Sequence, residues 1–182
     1  MGAEPMNYYP AALREVIASG HLIFDGGLFD LNLILRRREE DPDEVVVCYR
    51  SGSGGWTTES FPCSTLPSAR YLVDPINPKG TAILAPGQHR GAYSRGLHRG
   101  RPSIVQTGKV TVYRDDDRDS VPETEGRPRE TGYFGINIHT DRGGSAGCIL
   151  AAEWTLVRLR ALFAKQEEEG HGSTVSVVLL CC

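Results

Sequence analysis

No stretch of this sequence approaches the run of about 18 apolar residues that a helical membrane span needs, so no span is expected. The N-terminus, MGAEPMNYYPAALREVIASGH, lacks a basic region followed by a continuous apolar stretch. No secretory signal is therefore visible. The expected compartment is the cytosol, with lysis or a dedicated export machine as routes by which the chain could reach a cell wall. Met6 breaks the myristoylation pattern that Gly2 would open. Charge of one sign is not in excess: the net charge is −3. That argues against nucleic acid as the main partner, since phosphate backbones select strongly basic surfaces. No Cys/His cluster has zinc spacing, and no Gly-rich phosphate loop precedes a helix, so no metal and no cofactor is expected. The five cysteines are odd in number and lack framework spacing, and they read as reduced thiols. No internal repeat or domain boundary is visible.

What is present suits one folded unit over residues 1–182, with residues 1–20 as an N-terminal helical extension. Hydrophobic residues make up 40% and charged residues 24%, an ordinary globular balance that excludes general disorder. The 21 Gly and 11 Pro favour short strands and tight connections over a helical bundle.

Leu13, Val16 and Ile17 form a helical stripe within 10–19, and Gly20 is a stop. Phe29, Leu31, Leu33 and Leu35 alternate with Asp30, Asn32, Ile34 and Arg36, a mostly period-two strand. The polar turn REEDPDE and the run Val45–Tyr49 complete an antiparallel hairpin. A further strand starts at Trp56, and Tyr71–Val73, Thr81–Leu84 and Val110–Tyr113 are short strand candidates. RDDDRDS reads as a turn and VPETEGRPRE as a loop. GYFGINIH, residues 132–139, is expected to be a strand ending in histidine. Residues 151–166 are the longest helix candidate, with two apolar stripes that imply packing on more than one side. TVSVVLL, from Thr174, reads as a buried closing strand.

The segment GYFGINIHTDRGGSAGCIL, residues 132–150, holds the chemistry. His139 ends an apolar strand, and Cys148 follows nine residues later among small residues. The short polar loop between them can bring imidazole and thiol together. A nucleophilic cysteine needs such a partner, because the thiolate attacks and a histidine takes the proton. A helix expected just after Cys148 would further lower the thiol pKa. Free N–H groups around Gly147 and Cys148 could hold an oxyanion, and Ser145 could bond within the same turn. Asp141 or a backbone carbonyl could orient His139.

INIHT followed by SAGCI resembles the active-site signature of the L,D-transpeptidase catalytic domain. The flanks GTAILAPGQHRGAYSRGLHRG and VQTGKVTVYRDDDRD resemble a phage- and prophage-associated branch. Together the likeness spans roughly residues 29–165. It implies a mainly β fold with helices (α+β), a β-sandwich or barrel with one long helix after the catalytic cysteine. It implies a cysteine acyltransferase or peptidase acting through a thioester on the peptide stems of peptidoglycan. By motif position Cys148 is the nucleophile and His139 the base, while Ser145 and Gly147 shape the turn and oxyanion site. The sequence departs from the family pattern at Leu150, where Arg or sometimes Asn is common, and at Thr140, where Gly is common. Its His-to-Cys loop is also shorter than in wall-building members.

In QHRGAYSRGLHRGR, residues 88–101, arginine forks suit the carboxylates of a peptide stem. Arg90, Tyr93 and His98 are the candidate substrate contacts, against a plain solvated basic loop. Asp115, Asp117 and Asp119 resemble the first half of a calcium loop, but Ser120 and Gly126 stand where Gly and Glu are expected, so a hairpin turn is the expectation. His21 and His171 have no sequence partner and are expected in solvent. Two other functions fit the same residues: a cysteine peptidase on a non-wall substrate, and a non-catalytic wall-binding or virion structural module.

Overall fold

In a computed structural model, residues 8–40, 42–140 and 144–182 of the chain are described. The elements run α1 (Ala11–Ala18), β1 (Asn32–Arg37), β2 (Asp43–Arg50), β3 (Trp56–Ser64), α2 (Ala69–Val73) and β4 (Thr81–Leu84). They continue as β5 (Gly87–His98), β6 (Arg101–Gln106), β7 (Val110–Asp115), β8 (Arg129–Gly132), β9 (Ile138–Thr140), β10 (Ile149–Ala151), α3 (Glu153–Glu168) and β11 (Thr174–Cys181). Eight strands close into a barrel in the order β1-β11-β5-β6-β9-β10-β3-β2, and β4-β7-β8 form a second sheet. The protein is therefore mainly β with a few helices. No helix among the described residues is long and apolar enough to cross a membrane.

The hairpin read from period-two patterning is β1–β2, antiparallel with Leu33 opposite Val47 and Leu35 opposite Val45. Its apolar run is nearly continuous because both faces are covered. Leu33, Leu35, Val45 and Val47 face the interior cluster, whereas Ile34, Val46 and Cys48 face outward against Ala12, Leu13 and Val16 of α1. Helix α1 thus seals the outside of the barrel. β11 is the expected closing strand, parallel to β1 and antiparallel to β5. The interior cluster continues into Leu84, Val110 and Val112 of the second sheet and into Leu156, Leu159, Leu162 and Phe163 of α3.

Four expectations are corrected. The long helix starts at Glu153, not at 151, because Ile149–Ala151 are taken as β10 between β9 and β3. Its second stripe is not packed: Trp154 and Val157 are exposed, and one face carries the burial. Tyr71–Val73 belongs to a short helix; Tyr71 N–H bonds Ser68 O and Asp74 N–H bonds Arg70 O, and only Leu72 needs burying. Residues 132–139 are not one strand. β8 ends at Gly132 and β9 begins at Ile138, because the Phe134 and Ile136 N–H groups bond the Gln106 side chain instead of a neighbouring strand. The glycine-rich stretch 88–101 is chiefly strand, the long β5, where partners on both edges hold the backbone extended.

Candidate active site

The turn before β10 is built around Ser145, which is buried. Its hydroxyl accepts the Gly147 N–H (3.0 Å) and donates to Cys148 O (2.6 Å). Ser68 clamps the same residue from α2's leading end: Ser145 N–H bonds Ser68 Oγ, and Ser68 N–H bonds Ser145 O, both at 2.8 Å. Gly147 has φ +120, and a Cβ there would sit 2.3 Å from Ala82 O. Only glycine allows this backbone to lie against β4. The Gly147 N–H is therefore used inside the turn and is not free for an oxyanion. The Cys148 N–H has no partner among the described residues.

β9 and β10 run parallel, with Ile138 opposite Ile149 and His139 opposite Leu150, and the Ile149 N–H bonds Asn137 O at 2.8 Å. Ile138 and Ile149 are fully buried, so alternation turns His139 and Leu150, their neighbours in β9 and β10, to the other face. Cys148 immediately precedes β10, and the cavity it lines shares His98 and Arg99 with the cavity lined by His139. No hydrogen bond joins imidazole to thiol among the described residues. The sulfur instead accepts the Asn137 N–H (3.4 Å) and donates toward Gly135 O (3.3 Å). Burial pushes the Cys148 thiol above its ordinary pKa, opposed by the Asn137 N–H and by the Arg99 charge. The expected helix-dipole activation is absent, because β10 separates Cys148 from the start of α3. Cys148 therefore rests as a thiol at neutral pH.

His139 Nδ1 lies 2.8 Å from the Thr140 carbonyl oxygen. A carbonyl can only accept, so Nδ1 carries the proton and Nε2 keeps its lone pair. A backbone carbonyl thus orients the ring; Asp141, the other candidate, lies outside the described residues. His98 stacks on this ring, with centroids 4.5 Å apart and planes at 14°. Its tautomer follows from a chain of bonds. Gln106 N–H donates to Asn137 Oδ1 (2.9 Å), which fixes the amide and leaves Asn137 Nδ2 to donate to His98 Nδ1 (2.9 Å). His98 therefore carries its proton on Nε2. Burial, then the neighbouring His139 and Arg99, holds the His98 pKa below the ordinary imidazole value. The stacked rings accordingly have opposite tautomers.

The β5–β6 hairpin delivers His98. His98 pairs with Arg101, and Arg99 (φ +50) and Gly100 (φ +77) form a two-residue turn of type I′. From α3, Arg160 braces this hairpin through Gly96 O (2.9 Å) and Ser103 O (2.6 Å).

Two cavities meet here. One of about 450 Å³ is lined by Cys148, Ala146, Gly135, Phe134, Thr81 and Arg114, and the other, about 280 Å³, by His139, Thr140, Ser103 and Arg101. His98 and Arg99 line both.

Of the three residues read as substrate contacts, only His98 reaches these cavities. Arg90 is exposed on β5, eight residues before His98, and lines neither. Tyr93 points into the core, fully buried, and its hydroxyl has no partner among the described residues. Burial in the core removes Tyr93, and eight residues of extended strand separate Arg90 from His98; neither is visible in a segment read as loop. Sequence reading missed Ser68, Arg99, Gln106, Arg114 and the role of Asn137. Asn137 lay inside the motif itself and Arg99 inside the basic segment 88–101; Ser68, Gln106 and Arg114 are distant in sequence and carried no local signal.

Outside the site, Asp117, Asp119 and Glu123 bring carboxylate oxygens within 4.8 Å of one another. Arg127 pairs with Asp116, Asp117 and Glu123, so the acidic turn already contains a cation. His171, expected in solvent, bonds Leu28 O at 3.0 Å. All five cysteines are free. No family model, curated protein or solved structure matches the chain.

Proposed function

We propose that this protein is a cysteine-dependent acyl-transfer enzyme of L,D-transpeptidase type, acting on the peptide stems of peptidoglycan. The observation that carries the reading is the pair of adjoining cavities that Cys148 and His139 line. Cys148 precedes β10 and is partly accessible, His139 stands on β9 with Nε2 left open by the Thr140 carbonyl, and their adjoining cavities share His98 and Arg99, which supports the reading.

The chemistry follows from those two groups. His139 Nε2 takes the Sγ proton as sulfur attacks the substrate carbonyl carbon, and the carbonyl electron pair moves onto oxygen. The open Cys148 N–H is placed to receive that oxyanion. Collapse of the tetrahedral intermediate breaks the carbon–nitrogen bond, the His139 imidazolium protonates the departing amine, and a thioester remains. Water or a second amine then gives His139 a proton and attacks the thioester, and Sγ leaves. Hydrolysis and transpeptidation differ only in that last nucleophile. The thiol's raised pKa fits a nucleophile activated by its base during attack rather than a resident thiolate. Apo sites commonly show such base contacts as loose.

The test is incubation of muropeptides or purified sacculi with wild type and Cys148→Ala, read by mass spectrometry. A stem cleaved or exchanged only by wild type, with an acyl mass on Cys148, supports the reading. The same product from both proteins refutes it. The sulfur's two backbone bonds favour, as a second reading, a fold kept as a non-catalytic wall-binding module. In that case sacculus binding survives Cys148→Ala and no acyl adduct forms.

A further inference from the structure

The protein carries a net charge of −3, yet the two adjoining cavities are lined by Arg99, Arg101, Arg114, His98 and His139, and by no Asp or Glu among the described residues. Arg114 is occupied: it bonds Glu130 (3.0 Å) and Gly80 O (3.2 Å) and packs on Phe134. Arg99 is different. Its guanidinium, like that of Arg101, has no hydrogen bond or ion pair among the described residues, and of the two only Arg99 lines both cavities, whereas Arg36, Arg38, Arg50, Arg95, Arg127 and Arg158 are all paired.

Arg99 is also held in an unfavourable backbone. The first position of a type I′ turn favours Asn, Asp or Gly, and a bulky residue at φ +50 is strained. A long cation is placed where the turn chemistry disfavours it, at the junction of the cysteine and histidine cavities, and with no acidic partner among the described residues. Its charge already reaches Cys148 and His98.

We propose that Arg99 is a specificity-determining residue that holds a free carboxylate of the acyl donor beside the carbonyl attacked by Cys148. This rests on the acyl-transfer reading above and adds to it a substrate requirement: the donor must be an anionic peptide. Arginine suits the task through bidentate, charge-assisted bonds, and the side chain stays charged at any working pH.

The experiment uses the full chain and two probes: a stem tetrapeptide with free carboxylates, and the same peptide with each carboxylate converted to carboxamide. Arg99→Asn removes the charge and supplies a residue the turn prefers, so folding is retained; Arg99→Lys keeps the charge without the fork. Binding is read by calorimetry in a Cys148→Ala background, and turnover by mass spectrometry with Cys148 intact. Wild-type Arg99 is expected to favour the carboxylate peptide by about tenfold or more, the weight of a charge-assisted hydrogen bond. Arg99→Asn is expected to abolish that preference by losing affinity for the carboxylate peptide alone, and Arg99→Lys to keep part of it. An unchanged preference in Arg99→Asn, or equal binding of both peptides to the Arg99 protein, overturns the assignment. Turnover of neither peptide alongside an Arg99-dependent binding preference defeats the enzymatic reading while leaving the carboxylate site standing.

Discussion

Replacing Ser145 by alanine removes one oxygen and two hydrogen bonds with it. The Gly147 N–H loses its acceptor at 3.0 Å and Cys148 O its donor at 2.6 Å. Ser145 is 2% exposed, so water is poorly placed to replace the hydroxyl. A buried backbone group left unpaired costs about 1–3 kcal/mol. Two such groups, in a turn that can relax in part, give a loss of about 2–3 kcal/mol. In a domain of this size each kcal/mol moves the melting temperature by about 2–4 °C, so the expected fall is about 4–12 °C. Function is expected to suffer more than stability. Gly147 is pinned against Ala82, so the slack falls on Cys148, and a misplacement near 1 Å costs about a hundredfold in rate. Calorimetry gives the melting temperature, and mass spectrometry gives the rate of acyl-adduct formation on Cys148. Ser68→Ala is the companion, since it removes the acceptor of the Ser145 N–H yet leaves the hydroxyl bridge intact, and it should perturb the adduct rate less. A Ser145→Ala protein melting within about 1 °C of wild type would show that the hydroxyl does not hold this turn.

Nitrogen-detected NMR at neutral pH should find His139 protonated on Nδ1 and His98 on Nε2; the reverse assignment would contradict the Thr140 and Asn137 bonds. Burial, with the charges of Asp43 and Glu44, pushes the Cys63 thiol from 9.0 up to about 12. A thiol whose folded pKa is raised adds stability that is complete below the unfolded value and lost as pH climbs toward the folded one. Denaturation series should therefore show stability falling between pH 9 and about 12, with a shallower fall in Cys63→Ala; equal slopes would remove Cys63 as a cause. Leu159 of α3 is fully buried in the interior cluster, and Leu159→Ala is expected to cost about 2–5 kcal/mol in chemical denaturation. A loss below about 1 kcal/mol would mean that α3 packs loosely on the barrel.

Much of the barrel wall was legible locally. Leu33 and Leu35 alternating with their neighbours, the apolar run at Val45–Val47 and the stripe at Leu13 and Val16 each record one periodicity of burial, and the structure uses each as read. The turn that carries the cysteine after Ser-x-Gly was legible for a similar reason. A tight turn with glycine at positive φ and a short hydroxyl at its base is a local device, written in consecutive residues.

The remainder depended on partners far away in sequence. Whether 149–151 became strand or helix was settled by open edges on β9 and β3. Whether 133–137 stayed extended was settled by one glutamine, Gln106, which took the Phe134 and Ile136 N–H groups. The misreading of Arg90 and Tyr93 has the same origin, because a side chain's face and its distance from the site are defined only once the strand and its neighbours are in place. Residue order alone thus determined which segments could bury apolar surface and which short segment carries both a thiol and an imidazole. Tertiary structure decided which nitrogen of each imidazole bears the proton, that Cys148 rests as a thiol, and that Arg99 lines the same cavity. Those properties come from hydrogen bonds and burial between residues such as Gln106, Asn137 and His98, and no local pattern encodes them.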